Sequence, residues 1–140
     1  MENYDLERFL KGQARNYESA LREIREGCKR SHWMWYVFPQ IQGLGFSSTA
    51  QYYAIRDIAE ARAYLQHPVL RERLLEISNA LLALDTHNAS EVFGWPDDLK
   101  LRSSMTLFAE AEPECDVFQK VLDQYFQGRK DERTLEILSQ

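Results

Sequence analysis

Two segments of the chain concentrate side chains that could do chemistry. The first runs Ser31-His32-Trp33-Met34-Trp35-Tyr36-Val37-Phe38-Pro39-Gln40 and continues into a Gly43-Leu44-Gly45 loop. Its rings offer flat apolar faces for a base or another planar ligand, and their N–H and O–H groups need partners when buried. Trp33 would supply the ring of such a stacking wall, with His32 and Gln40 as polar handles. The same rings could equally be the hub on which helices pack. The second segment is Trp95-Pro96-Asp97-Asp98-Leu99-Lys100-Leu101-Arg102-Ser103-Ser104. On a helix Lys100, Ser103 and Ser104 fall within about one turn, and a lysine beside two hydroxyls suits a phosphate or carboxylate. The competing arrangement pairs Lys100 with Asp97 and turns the serine hydroxyls back onto the helix backbone.

Most easily read chemistries are absent. No phosphate-binding loop, dinucleotide glycine fingerprint, His-Glu-x-x-His pair or Gly-x-Ser-x-Gly elbow occurs. His32, His67 and His87 are too scattered to suggest a metal site, so neither a metal nor a cofactor is expected. Ser103 has no histidine close in sequence to act as its base. Glu60 and Glu91 qualify as acids or bases only if buried. Cys28 and Cys115 each fall on the apolar face of an expected helix and read as reduced, buried thiols. A net charge of -5 and a pI near 5.2 argue against DNA, RNA or an anionic membrane as partner.

The acidic start Met1-Glu2-Asn3-Tyr4-Asp5-Leu6-Glu7 lacks the basic-then-apolar order of a signal peptide. No apolar run approaches the roughly 20 residues of a membrane span, so the expected location is cytoplasmic. With 140 residues, 44% hydrophobic and 28% charged, the chain reads as one folded domain over residues 1–140. Its oligomeric state is not legible.

The elements that must position these residues read as helices. Asp5 to Lys11 predicts a short first helix, and Gln13 to Cys28 a longer one with Tyr17, Ala20, Leu21, Ile24 and Cys28 on its inner face. Ser31 to Phe38 is apolar on every side, and Pro39 biases Phe38 toward an extended conformation. Ser47 to Ile55 predicts a short helix capped by Ser48. Asp57 and Glu60 form a capping-box start, and Pro68 after His67 opens a helix with Leu70, Leu74, Ile77 and Leu81 inside. Asn88 to Phe93, a helix from Pro96, one opened by Pro113 and one capped by Asp131 complete the set. The fold class is therefore all-α: one compact domain of about seven or eight helices with an aromatic-rich connecting segment.

Several of these stretches together resemble the domain of unknown function 1810 family. They are Ser31 to Gly45, Ala50 to Ile55, Glu60 to Leu70 and Asp97 to Phe108. Many relatives carry arginine where this chain has Tyr52. The order of segments is also similar to that of the NADAR family, helical proteins linked to nucleotide and ADP-ribose chemistry, some of which cleave N-glycosidic bonds. The Glu-His pair of that family falls near Gln51-Tyr52 here, so the pair itself is missing. This second resemblance implies a nucleotide-like or ADP-ribose-like ligand, and N-glycoside hydrolysis if a carboxylate such as Asp98 or Glu60 steadies the cationic sugar. The alternative expectation is a non-catalytic protein-interaction module anchored on exposed Trp33, Trp35 or Phe46.

Overall fold

The computed structural model describes residues 4–140; the acidic reading of Met1, Glu2 and Asn3 lies outside the described residues. Among the described residues the chain forms nine helices. They are α1 (Glu7–Arg25), α2 (Met34–Val37), α3 (Ser48–Tyr53), α4 (Ile58–Gln66), α5 (Pro68–Leu82), α6 (Ala89–Phe93), α7 (Asp97–Ala111), α8 (Val117–Phe126) and α9 (Glu132–Leu138). The all-α expectation holds. Extended pairing among the described residues is limited to a parallel bridge between Ile41 and Ile55.

Capping chemistry sets most of the boundaries. Ser47, Asp57, Asn88 and Asp131 each accept a backbone N–H with their side chains at the start of α3, α4, α6 and α9. His67 does the same for α5 through Nδ1, with Pro68 in the first turn. The cap of α3 is thus Ser47, one residue before the expected Ser48. Pro113 lies in a turn, and α8 begins only at Val117.

The two expected N-terminal helices are one. Gly12 does not end the first, because it sits where a side chain would collide: an added Cβ would stand 2.7 Å from Cγ of the Tyr36 ring. Glycine here lets α2 pack closely on α1. At the far end Gly27 takes a positive φ of 78° and turns the chain before Cys28, which is exposed rather than buried.

Helix α7 is the centre of the molecule. It contacts α4, α6, α8 and α9, while α5 packs on α1, α4 and α8. Its buried residues run round the whole circumference, from Leu101, Met105 and Phe108 on one side to Ser103, Thr106 and Leu107 on the other, as expected of a helix enclosed by others. The core joins Phe9, Tyr64, Phe108 and Phe118 through successive ring contacts of 5.1 to 5.8 Å. One ion pair is buried beside it. Arg8 Nη2 stands 3.0 Å from Glu60 Oε2, and the same guanidinium donates to the carbonyls of Tyr52 and Ala54, each at 2.8 Å.

Candidate functional site

The aromatic segment is pinned by a carboxylate ten residues upstream. Glu23, buried on α1, accepts the backbone N–H groups of Arg30 (2.7 Å) and Ser31 (2.9 Å), the Ser31 hydroxyl (2.7 Å) and the Trp33 indole N–H (3.0 Å). Burial alone would raise its pKa; these donors outweigh that and hold it at about 2. Trp33, 1% exposed, then packs against Phe38 and Phe93. It belongs to the core.

Trp35 is placed differently. Met34, Val37 and Phe38 point inward, which leaves Trp35 on another side of the short α2, half-buried. Its indole N–H has no acceptor among the described residues. Trp35 forms one wall of a cavity of about 480 Å³ that Gln40, Lys100 and Ser103 also line. The loop from Leu44 to Ser47 closes a second side, and Asp131 and Arg133 complete it from the start of α9. The size falls within the ordinary range for small-molecule sites, roughly 300–1,000 Å³.

Long-range tethers bring these parts together. Arg102 donates to the carbonyls of Arg129 (3.0 Å) and Lys130 (2.9 Å). Four residues on, the Thr106 hydroxyl accepts the Asp131 N–H at 2.8 Å. A turn further, Glu110 takes Lys130 Nζ at 2.6 Å. One face of α7 thereby holds the chain that leads into Asp131 and Arg133. Gly45 lets its loop lie against α3, since a Cβ there would stand 2.7 Å from Cβ of Ala50.

Lys100 stands beside a flat ring and is paired with Asp97, while Ser103 bonds back to its helix, which is the competing arrangement. Lys100 Nζ lies 5.6 Å from the Trp35 ring centroid, within reach of a cation–π attraction. It is also 3.3 Å from Asp97 Oδ1, while Asp97 Oδ2 is 2.9 Å from Lys29 Nζ. Two ammonium groups therefore share one carboxylate, and the Asp131 carboxylate lines the same cavity. Arg133 adds a guanidinium, paired with Glu136 at 3.2 Å. The Ser103 hydroxyl donates to the Leu99 carbonyl (3.2 Å), so its lone pairs remain to accept. Asp131 Oδ2 caps α9 through Thr134, and its Oδ1 makes no bond among the described residues.

The sequence candidates thus divide. Gln40, Lys100 and Ser103 meet in the cavity; His32, Trp33 and Ser104 do not line it. His32 is exposed on the surface. Ser104, one position round the helix from Ser103, is fully buried with an unpartnered hydroxyl. Neither candidate acid lines the cavity: Glu60 is committed to Arg8, and Asp98 accepts from the Ser90 hydroxyl at 2.9 Å. Asp131 and Arg133 are not among the sequence candidates, and Trp35 is among them only as an anchor for a protein partner. The i, i+3, i+4 spacing of Met34, Val37 and Phe38 was the available signal for Trp35; the α9 pair carried none. No group of His, Cys, Asp and Glu able to hold a metal occurs among the described residues, and no helix there is long and apolar enough to cross a membrane.

A solved structure similar to this chain is the crystal structure of the conserved hypothetical protein Rv1873 from Mycobacterium tuberculosis. It shares 46% sequence identity over 99% of each chain, with a TM-score of 0.96. None of the curated proteins matches. Residues 3–138 match the family described as protein of unknown function (DUF1810), and the chain belongs to that family.

Proposed function

We propose that this protein is a cytoplasmic binder of a nucleotide-like small molecule, held in the cavity between α2, α7 and the start of α9. One observation carries the reading: Trp35 and Gln40 from one distant segment and Lys100 and Ser103 from another line the same cavity. The ligand's planar group would stack on Trp35 and its phosphate would sit at Lys100 and Arg133. The NADAR likeness, which rests on segment order in the sequence, points to the same ligand class.

Where the ligand carries an N-glycosidic bond, Asp131 is the carboxylate at hand. Its free Oδ1 would steady the cationic sugar and take the proton of the attacking water as the C–O bond forms. The C–N electron pair would leave with the base, which takes a proton from solvent.

The test is thermal unfolding with AMP, ADP-ribose and inorganic phosphate, followed by product analysis. A ligand that binds only the folded state at 100 times its Kd stabilises by about 2.7 kcal/mol, several degrees for a chain of this size. Lys100→Ala should abolish the shift. No shift with any nucleotide at millimolar concentration would remove the reading.

A second reading has its own observation. Phe46 is 83% and Trp95 78% exposed, with Leu99 also exposed, and Phe46 and Leu99 line the rim of the same cavity. Such a rim suits a protein partner. It predicts that Trp95→Ala, outside the cavity lining, leaves nucleotide shifts unchanged while abolishing capture of that partner.

A further inference from the structure

We infer that Gln40 reads the edge of a nucleobase, accepting from a base N–H and donating to the adjacent ring nitrogen or carbonyl. This rests on the nucleotide-binding reading above and specifies its ligand.

Glutamines in this fold are otherwise used up when they are not on the surface. The Gln13 amide donates to the Tyr36 carbonyl (2.7 Å) and the Tyr64 hydroxyl (3.1 Å), and its oxygen accepts from Arg73. Gln124 donates to the carbonyls of Leu81, Leu84 and Thr86. Gln40 is half-buried, lines the cavity, and its side-chain amide makes no hydrogen bond among the described residues. A carboxamide presents one acceptor and one donor side by side in a plane. Its complement is a flat group with a donor beside an acceptor, which is what a nucleobase edge offers.

The main chain at Gln40 is held in place before any ligand arrives. The Gln40 carbonyl accepts the Ile55 N–H at 2.8 Å, and the Ile55 carbonyl accepts the Gln42 N–H at 2.7 Å. The peptide on either side of Ile41 is therefore clamped to the segment after α3. Trp35 lines the same cavity and supplies the stacking face. Behind the two, a crevice of about 20 Å³ runs to Ile41 and Tyr53, lined again by Trp35 and Gln40. It has room for about one water and none for a ring.

The test exchanges the donor for an acceptor. Gln40→Glu presents two acceptors, which suit the N1–H and N2–H donors of guanine but face an unpaired acceptor on adenine. Affinities for AMP and GMP are measured by isothermal titration on the wild type, Gln40→Glu and Gln40→Ala. Repulsion between the new carboxylate and the phosphate weakens both ligands alike and cancels in the ratio. The expected result is a fall of about tenfold or more in the AMP-to-GMP affinity ratio for Gln40→Glu, with the Gln40→Ala ratio shifted far less. Wild-type binding with an unchanged ratio in Gln40→Glu overturns the role of Gln40 and leaves the nucleotide reading standing. Failure of the wild type to bind either nucleotide overturns both.

Discussion

Glu23 offers a sharp test of how the aromatic segment is held. Replacing it with glutamine keeps the volume and a carbonyl oxygen for the Arg30, Ser31 and Trp33 donors, and removes the charge that strengthens those bonds. The folded carboxyl sits at about 2 against an ordinary value of 4.5. Its folded value lies below its unfolded one, so the stabilisation is complete above pH 4.5 and is lost as pH falls through 2. A difference of that size corresponds to about 3 kcal/mol at neutral pH and about 1 kcal/mol at pH 3. Urea unfolding of wild type and Glu23→Gln at pH 7 and pH 3 measures both. The variant should be less stable by about 3 kcal/mol at pH 7, with the gap closing by more than half at pH 3. Equal stability at pH 7, or a gap that ignores pH, would refute the argument that charge-assisted bonds to Glu23 fix Trp33.

Three further substitutions probe the frame around the cavity. Gly12→Ala should lower the melting temperature although alanine favours a helix by about 1 kcal/mol, because the Tyr36 ring stands in the way and overpacking costs about 1–3 kcal/mol; a higher Tm would show that Tyr36 gives way. Arg8→Met should cost about 3–5 kcal/mol in urea unfolding by stranding the buried Glu60 charge. Adding Glu60→Met should recover much of it, and no recovery would mean the loss was packing. Thr106→Val should cost about 1–2 kcal/mol by leaving the Asp131 N–H without its acceptor, and hydrogen exchange at that amide should quicken; unchanged exchange would contradict the tether.

Local chemistry carried the fold a long way. Asp57 with Glu60, His67 before Pro68, Asn88 before Ala89, and Asp131 each announced a helix start because a cap acts within three residues. The division into helices Asp5 to Lys11 and Gln13 to Cys28 failed for the opposite reason: Gly12 between them admits Tyr36, twenty-four residues away, and no local signal shows that. The site was legible in part. Lys100 and Ser103 lie on one helix face at a spacing the sequence displays, and Gln40 stood out as a polar residue ending an aromatic run. The spacing of Met34, Val37 and Phe38 hints at an outward Trp35, but the burial of Trp33 also depends on where Glu23 delivers its carboxylate, ten residues away. Ser104 differs from Ser103 by about 100° of helix rotation, enough to turn it from the cavity into the core. Asp131 and Arg133 are held near the cavity by the contacts of Arg102, Thr106 and Glu110 with residues 129–131, which no local pattern shows.

The most direct test of the account follows the indole N–H signals of the three tryptophans by NMR as AMP is added. The Trp35 signal should shift progressively to saturation, while that of Trp33, held on Glu23 in the core, stays in place. An unmoved Trp35 signal at saturating AMP, or a shift confined to Trp95, would contradict the claim that this cavity is the binding site.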